Sequence, residues 1–173
     1  HELEHQVRDM LVFARGDLPL PDRLAPKTFF AALRAAAEPH VQGHAVRWQC
    51  DSHTGELLCN RDTLVGAVLN LVENALQAAG PQARLKVHLY SRGQQLRLCI
   101  SDNGEGIDSA TLERLGEPFF TTKTTGTGLG VAVVKAVARA HQGDLLLRSR
   151  PGRGTCAILT LPLIAAAQPV TQE

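Results

Sequence analysis

The chain has 173 residues, 44% hydrophobic and 20% charged, which is enough for one domain of ordinary size with a real core and excludes a disordered chain. Lys and Arg number 18 against 17 Asp and Glu, a net charge of +1, and the aromatic residues are only five Phe, one Trp and one Tyr. Neither a basic surface for nucleic acid nor a set of base-stacking platforms is on offer, and no apolar run is long enough to cross a bilayer. The first residues, His1-Glu2-Leu3-Glu4-His5, do not have the pattern of a signal peptide. Cys50, Cys59, Cys99 and Cys156 form no C-x-x-C pair, and they read as small apolar residues in a reducing, cytoplasmic compartment.

In chain order, Leu3, Val7, Met10, Leu11 and Ala14 carry helical spacing ended by Gly16, and three prolines between Asp17 and Pro26 predict a linker. Residues 27–38 predict an Ala-rich helix stopped near Pro39. Ala45–Cys50 and Glu56–Cys59 predict short strands around a polar turn. The strongest helical signal is at 61–79, where Leu64, Val68, Leu71, Ala75 and Leu76 share a side and Gly80-Pro81 stops the helix. Arg84–Tyr90 and Gln95–Ser101 alternate apolar and polar residues about a short turn and predict a hairpin. Residues 102–130, rich in Gly and Thr, predict a long functional loop. A third long helix at Leu129–His141 and closing strands at Asp144–Arg148 and Thr155–Leu161 follow, with a frayed tail from Ala165. Helices mixed with late strands predict a two-layer α+β sandwich, a sheet with helices on one face.

Four polar clusters stand out. Asn70 and Asn74 lie four apart on the central helix, so both amides face one way. An amide oxygen suits Mg²⁺ and an amide NH₂ can donate to phosphate, although a solvated helix face has the same spacing. Asp102-Asn103-Gly104-Glu105-Gly106 closes the hairpin's second strand. It offers a fixed carboxylate that could accept from an amino group such as that of adenine, or it is an ordinary Asp-Asn-Gly turn. Gly126-Thr127-Gly128-Leu129-Gly130 runs into the third helix, where backbone N–H groups and the helix dipole suit phosphate. It matches neither the dinucleotide fingerprint nor a P-loop. Glu117-Pro118-Phe119-Phe120-Thr121-Thr122-Lys123 lies between them. Its lysine could reach a terminal phosphate, and its two Phe residues could equally just anchor a loop.

The order N-x-x-x-N, D-x-G-x-G, E-P-F-F-T-T-K, G-T-G-L-G resembles the N, G1, F and G2 boxes of the ATP-binding domain of sensor histidine kinases, over roughly residues 27–162. The turn Gly152-Arg153-Gly154-Thr155 and the strand ending at Leu161-Pro162 resemble the family's close. Val7 to Arg15 resembles the end of the second helix of the dimerisation hairpin, in wording closest to kinases of the NtrB and AtoS type and most like flagellar-regulation sensor kinases.

The resemblance implies a Bergerat (GHKL) ATP-binding sandwich that uses ATP and Mg²⁺. Asn74 would be the Mg²⁺ ligand, with Asn70 supporting it. Asp102 would read the adenine amine, with Gly104 and Gly106 lining the base pocket and Thr155 helping to hold the base. Gly126, Thr127, Gly128, Leu129 and Gly130 would lie on the phosphate side. Phe119 and Phe120 would form the lid hinge, followed by Thr121 and Thr122, with Lys123 acting in transfer. In gyrase, Hsp90 and MutL, a Glu four residues before the magnesium-binding Asn activates water. Asn70 stands there in this chain and cannot take a proton, which disfavours fast hydrolysis.

The expected organisation is the end of the dimerisation hairpin at 1–16, a linker at 17–26, the ATP-binding domain at 27–164 and a tail at 165–173. The expected reaction passes the ATP γ-phosphate to a histidine on the hairpin and then to a response regulator, with the intact protein a homodimer. The alternatives are a nucleotide-gated regulatory module, a serine kinase of the anti-sigma type, and a slow ATPase. His1-Glu2-Leu3-Glu4-His5 imitates both a zinc-protease motif and a phosphoacceptor box. No Asn-Pro follows, and the second hairpin helix comes too soon, so the phosphoaccepting histidine is expected to lie outside this chain.

Overall fold

The computed structural model describes residues 18–115, 117 and 130–166. The expected N-terminal helix, the segment around Phe119 to Leu129 and most of the tail lie outside these residues. The elements are β1 (Asp22–Leu24), α1 (Pro26–Val41), β2 (Ala45–Asp51), β3 (Leu57–Cys59), α2 (Arg61–Ala79), a 3₁₀ turn (Gly80–Gln82), β4 (Arg84–Arg92), β5 (Gln95–Asp102), α3 (Ser109–Arg114), α4 (Gly130–Ala140), β6 (Asp144–Ser149) and β7 (Thr155–Pro162).

Five strands form one mixed sheet in the order β2-β4-β5-β7-β6, with β2 parallel to β4 and the other pairs antiparallel. Leu85, Val87 and Leu89 on β4, Leu96, Leu98 and Ile100 on β5, and Ala157, Leu159 and Leu161 on β7 are buried, while their neighbours in sequence are half-buried or exposed. This period of two puts one face against the helices and leaves the other without a second layer among the described residues. Phe29, Phe30, Leu33, Ala37 and Val41 of α1, Leu64, Val68, Leu71, Val72 and Ala75 of α2, and Val133, Val134, Val137 and Ala138 of α4 complete one core. The fold is the expected two-layer α+β sandwich.

Local chemistry sets the helix ends. The Asn60 side chain accepts from the Thr63 N–H at the start of α2, and Gly80, at φ +71°, closes its end with an N–H to the Leu76 carbonyl. Helix α1 starts with Pro26 as its first residue. It runs past Pro39 to Val41, because burial of Ala37 and Val41 holds the last turn although Pro39 has no N–H to give.

Two expectations change. β2 and β3 flank a turn but do not pair with each other. β2 joins the main sheet, whereas β3 pairs with β1, formed by residues read from sequence as linker. Within the long loop, Asp108 caps the short helix α3 through the Thr111 N–H. Pairing and capping of this kind depend on partners distant in sequence or on one isolated residue, so neither leaves a periodic signature.

The ends of α2 and α4 are tied by a buried histidine. His141 Nδ1 lies 2.8 Å from the Val137 carbonyl and must donate to it, which leaves Nε2 to accept the Asn60 backbone N–H at 3.0 Å. Burial pushes the imidazole below its ordinary 6.5, against the opposing pull of the Val137 carbonyl. The neutral form therefore contributes stability that is complete above the unfolded imidazole pKa and is lost as pH falls through the folded value. Urea midpoints measured from about pH 7.5 down to about pH 5 should fall more steeply for the native chain than for His141→Gln. In the core, Leu98→Ala should cost about 2–5 kcal/mol in the same measurement.

Candidate functional site

The inner face of the sheet ends in polar residues. The last wholly apolar row crosses Val87, Ile100, Ala157 and Leu147, and the next positions on that face are Leu85, still apolar and buried on β4, followed by the polar Asp102, Thr155 and Ser149 on β5, β7 and β6. Asp102 is the final residue of β5 and Thr155 the first of β7. Asp102 Oδ1 accepts the Gly104 N–H at 2.8 Å and the Thr155 N–H at 3.2 Å. Two backbone donors on one oxygen fix the carboxylate, and Oδ2 takes no partner among the described residues. Burial raises the Asp102 pKa above its ordinary 3.8, and the two backbone N–H groups pull the other way.

The chain crowds around this carboxylate. Gly106 has φ +77°, and a Cβ there would overlap the Arg150 carbonyl oxygen. Gly154 has φ +75°, and a Cβ there would overlap the carbonyl oxygen of Asp102 itself. Both positions require glycine for conformation and for room. The Ser149 hydroxyl accepts the Ile107 N–H at 2.7 Å, so the loop after β5 is bound to the end of β6. Asn103 fastens the loop on its other side, accepting the Arg84 N–H at 2.7 Å and donating to the Gln82 carbonyl at 3.1 Å.

Helix α2 supplies the floor. Asn70, Asn74 and Ala78 are spaced four apart on one face, spanning about 12 Å along the axis. At one end, Gly104 sits against the Ala78 carbonyl, where a Cβ would stand 2.8 Å from its oxygen. At the other, Gly130, the first residue of α4, faces the asparagines. A Cβ on Gly130 would lie 3.4 Å from Asn70 Oδ1 and 3.8 Å from Asn74 Nδ2. Two amides and the positive end of a helix therefore converge. This arrangement offers amide oxygens to a hard divalent cation and N–H groups to an anion. Glu73, beside Asn74 in sequence, is turned away, with its carboxylate 2.9 Å from His40 Nδ1 on α1.

Of the residues singled out from sequence, Asn70, Asn74 and Gly130 come together, as do Asp102, Gly104 and Thr155, with Gly106 packed behind them. Phe119, Phe120, Thr121, Thr122, Lys123, Gly126, Thr127, Gly128 and Leu129 lie outside the described residues. Ser149, Asn103 and Gly154 were missed as site residues. A lone Ser or Asn at a strand end carries no signal until the strands are paired, whereas Gly154, in a Gly-x-Gly turn, was findable. An open groove of about 460 Å³ also lies between the end of α2 and residues 103–105, but it is lined by none of Asn70, Asn74, Asp102 or Thr155.

Residues 59–165 match the family model described as histidine kinase-, DNA gyrase B-, and HSP90-like ATPase. The chain is 79% identical over 167 residues to the sensor protein kinase FleS of Pseudomonas aeruginosa, covering 96% of this chain and 42% of that protein. It is 38% identical over 117 residues to the signal transduction histidine-protein kinase AtoS of Escherichia coli, covering 66% of this chain and 19% of that protein. The chain thus spans less than half the length of these relatives. Among solved structures, the catalytic domain of histidine kinase ThkA matches with a TM-score of 0.73 at 23% identity, covering 83% of this chain and 95% of that one. Full-length ShkA in complex with AMPPNP matches with a TM-score of 0.81 at 23% identity, covering 98% of this chain and 37% of that one. Both share the fold. The chain belongs to the histidine kinase-, DNA gyrase B- and HSP90-like ATPase family, as the ATP-binding domain of a sensor histidine kinase.

Proposed function

We propose that this domain binds Mg·ATP along the face of α2 that carries Asn70 and Asn74 and, in the whole protein, presents the γ-phosphate to a histidine on a dimerisation hairpin, from which it passes to an aspartate of a response regulator. The observation that carries this reading is the convergence of Asn70 and Asn74 on Gly130, one helix face away from the fixed carboxylate of Asp102.

Each end of the site has its own task. Asp102 Oδ2 accepts from the adenine amine, while the two N–H groups on Oδ1 keep the carboxylate from turning. Gly104 and Gly106 let the base approach the backbone, and Thr155 closes that side. The amide oxygen of Asn74, with Asn70 one turn away, suits Mg²⁺, which when bound supplies neutralisation of phosphate charge. Gly130, with Gly126, Thr127, Gly128 and Leu129 before it in sequence, offers backbone N–H groups to the phosphates. Phe119 and Phe120 serve as the lid's hinge, Thr121 and Thr122 continue it, and Lys123 reaches the terminal phosphate. The domain's work is binding and aim, since the nucleophile comes from the hairpin.

Position 70 favours a kinase over an ATPase. An amide cannot act as a general base, and Glu73 is engaged with His40 on the far side of the helix. The activity fits a cytoplasmic domain of a homodimeric sensor.

A calorimetric titration with ATP and then GTP in Mg²⁺ tests the reading, and ATP alone should bind. Incubation with labelled ATP and a separately supplied dimerisation hairpin should label the hairpin. Steady phosphate release would indicate an ATPase instead, and binding with neither outcome would indicate a regulatory module. Asp102→Asn should weaken ATP binding about ten- to a hundredfold, because the amide NH₂ would face the adenine amine. The same variant should leave the free domain as stable or more stable at neutral pH. Its Oδ1 can still accept both N–H groups. The penalty for the native carboxylate, absent below the unfolded 3.8, grows as pH rises through the raised folded value.

A further inference from the structure

The Ser149 hydroxyl at the end of β6 has three polar neighbours: the Ile107 N–H at 2.7 Å, the Gly154 carbonyl at 2.9 Å and Thr155 Oγ1 at 2.8 Å. A hydroxyl has one hydrogen to donate and two lone pairs to accept with. The Ile107 N–H can only donate, so it occupies one lone pair. The Gly154 carbonyl can only accept, so it takes the hydrogen. Toward Thr155, Ser149 has only its second lone pair left, and the Thr155 hydroxyl must donate. Thr155 therefore spends its single hydrogen on Ser149, and its oxygen keeps only lone pairs for anything else. The neighbouring Asp102 carboxylate likewise offers only lone pairs, with Oδ1 already holding two N–H groups.

We infer that Ser149 is a specificity-positioning residue. By fixing the direction of the Thr155 hydroxyl, it makes the base end of the site acceptor-only, so that the site takes a 6-aminopurine and rejects a 6-oxopurine. The inference rests on the nucleotide reading above. The two hydrogens of an exocyclic amine match two acceptors. A carbonyl oxygen in the same place sets lone pairs against lone pairs and leaves buried polar groups without partners. Without Ser149, the Thr155 hydroxyl is free to rotate and donate to that carbonyl. The Ser149 hydroxyl also accepts the Ile107 N–H, so Ser149 couples the loop after β5 to this readout.

The test is a pair of dissociation constants, for Mg·ATP and for Mg·ITP, the inosine nucleotide that carries a carbonyl oxygen in place of the 6-amine. ITP should bind the native chain more weakly than ATP. Ser149→Ala should narrow that ratio about five- to tenfold, and Ser149→Thr, which keeps the hydroxyl, should restore it. Thr155→Val should also narrow the ratio, and adding Ser149→Ala to Thr155→Val should change it no further, since both act through one hydroxyl. Equal weakening of both nucleotides with an unchanged ratio would overturn the inference and leave Ser149 a purely structural residue. Should Ser149→Ala not fold, Thr155→Val carries the test alone, and an unchanged ratio there overturns it equally. Failure of the native chain to bind either nucleotide would overturn the nucleotide reading itself, and the inference with it.

Discussion

The site depends on one carboxylate oxygen. Asp102 Oδ1 accepts two backbone N–H groups, one from the loop that follows β5 and one from the first residue of β7. Those bonds hold together segments more than 50 residues apart in sequence and fix where a neighbouring strand begins. The group doing this is a carboxylate that burial makes costlier to ionise. A domain selected for stability alone would place another apolar residue at this position, continuing the row of Leu96, Leu98 and Ile100. Keeping a charge-bearing group at the end of that row fits a binding role, where a fixed acceptor has value that the free fold does not need.

Around that point the packing is backbone on backbone. Glycines at 104, 106 and 154 let the loop, the end of α2, the turn after β6 and the start of β7 approach to distances no side chain permits. Side chains then act as fasteners: Ser149 for Ile107, and Asn103 for Arg84 and Gln82. Ordering a loop costs roughly 1–2 kcal/mol per residue. A loop held by side-chain bonds on both flanks has met that cost before a ligand arrives, which is the physical content of preorganisation here. The end of the site proposed for the phosphates is built differently, from a helix face and a helix start. It is secured from a distance by His141 and Asn60, which tie the far end of α4 to the start of α2.

Periodicity and punctuation made most of the fold legible. The helix at 61–79 was readable because apolar spacing and a Gly-Pro stop agreed, and the hairpin at 84–101 because a short turn left one register that buries Leu96, Leu98 and Ile100. The strand at 22–24 was not readable. Three residues carry no measurable period, and their partner, β3, lies more than 30 residues away. The boxes of the site were legible for a different reason. Amides four apart on a helix, an acid before two glycines and glycines before a helix are local patterns with local causes.

The sequence by itself therefore determined which residues had chemistry to offer and on which element each sits, because those are properties of spacing within a few turns. Only the tertiary structure decided which of them meet. That Asn70 and Asn74 face Gly130, that Thr155 donates to Asp102, and that Ser149 turns the hydroxyl of Thr155 all depend on the strand order β5-β7-β6 and on the register of Ser149 opposite Thr155. Strand order and register are set by burying one whole face of a sheet at once. No single segment contains that information.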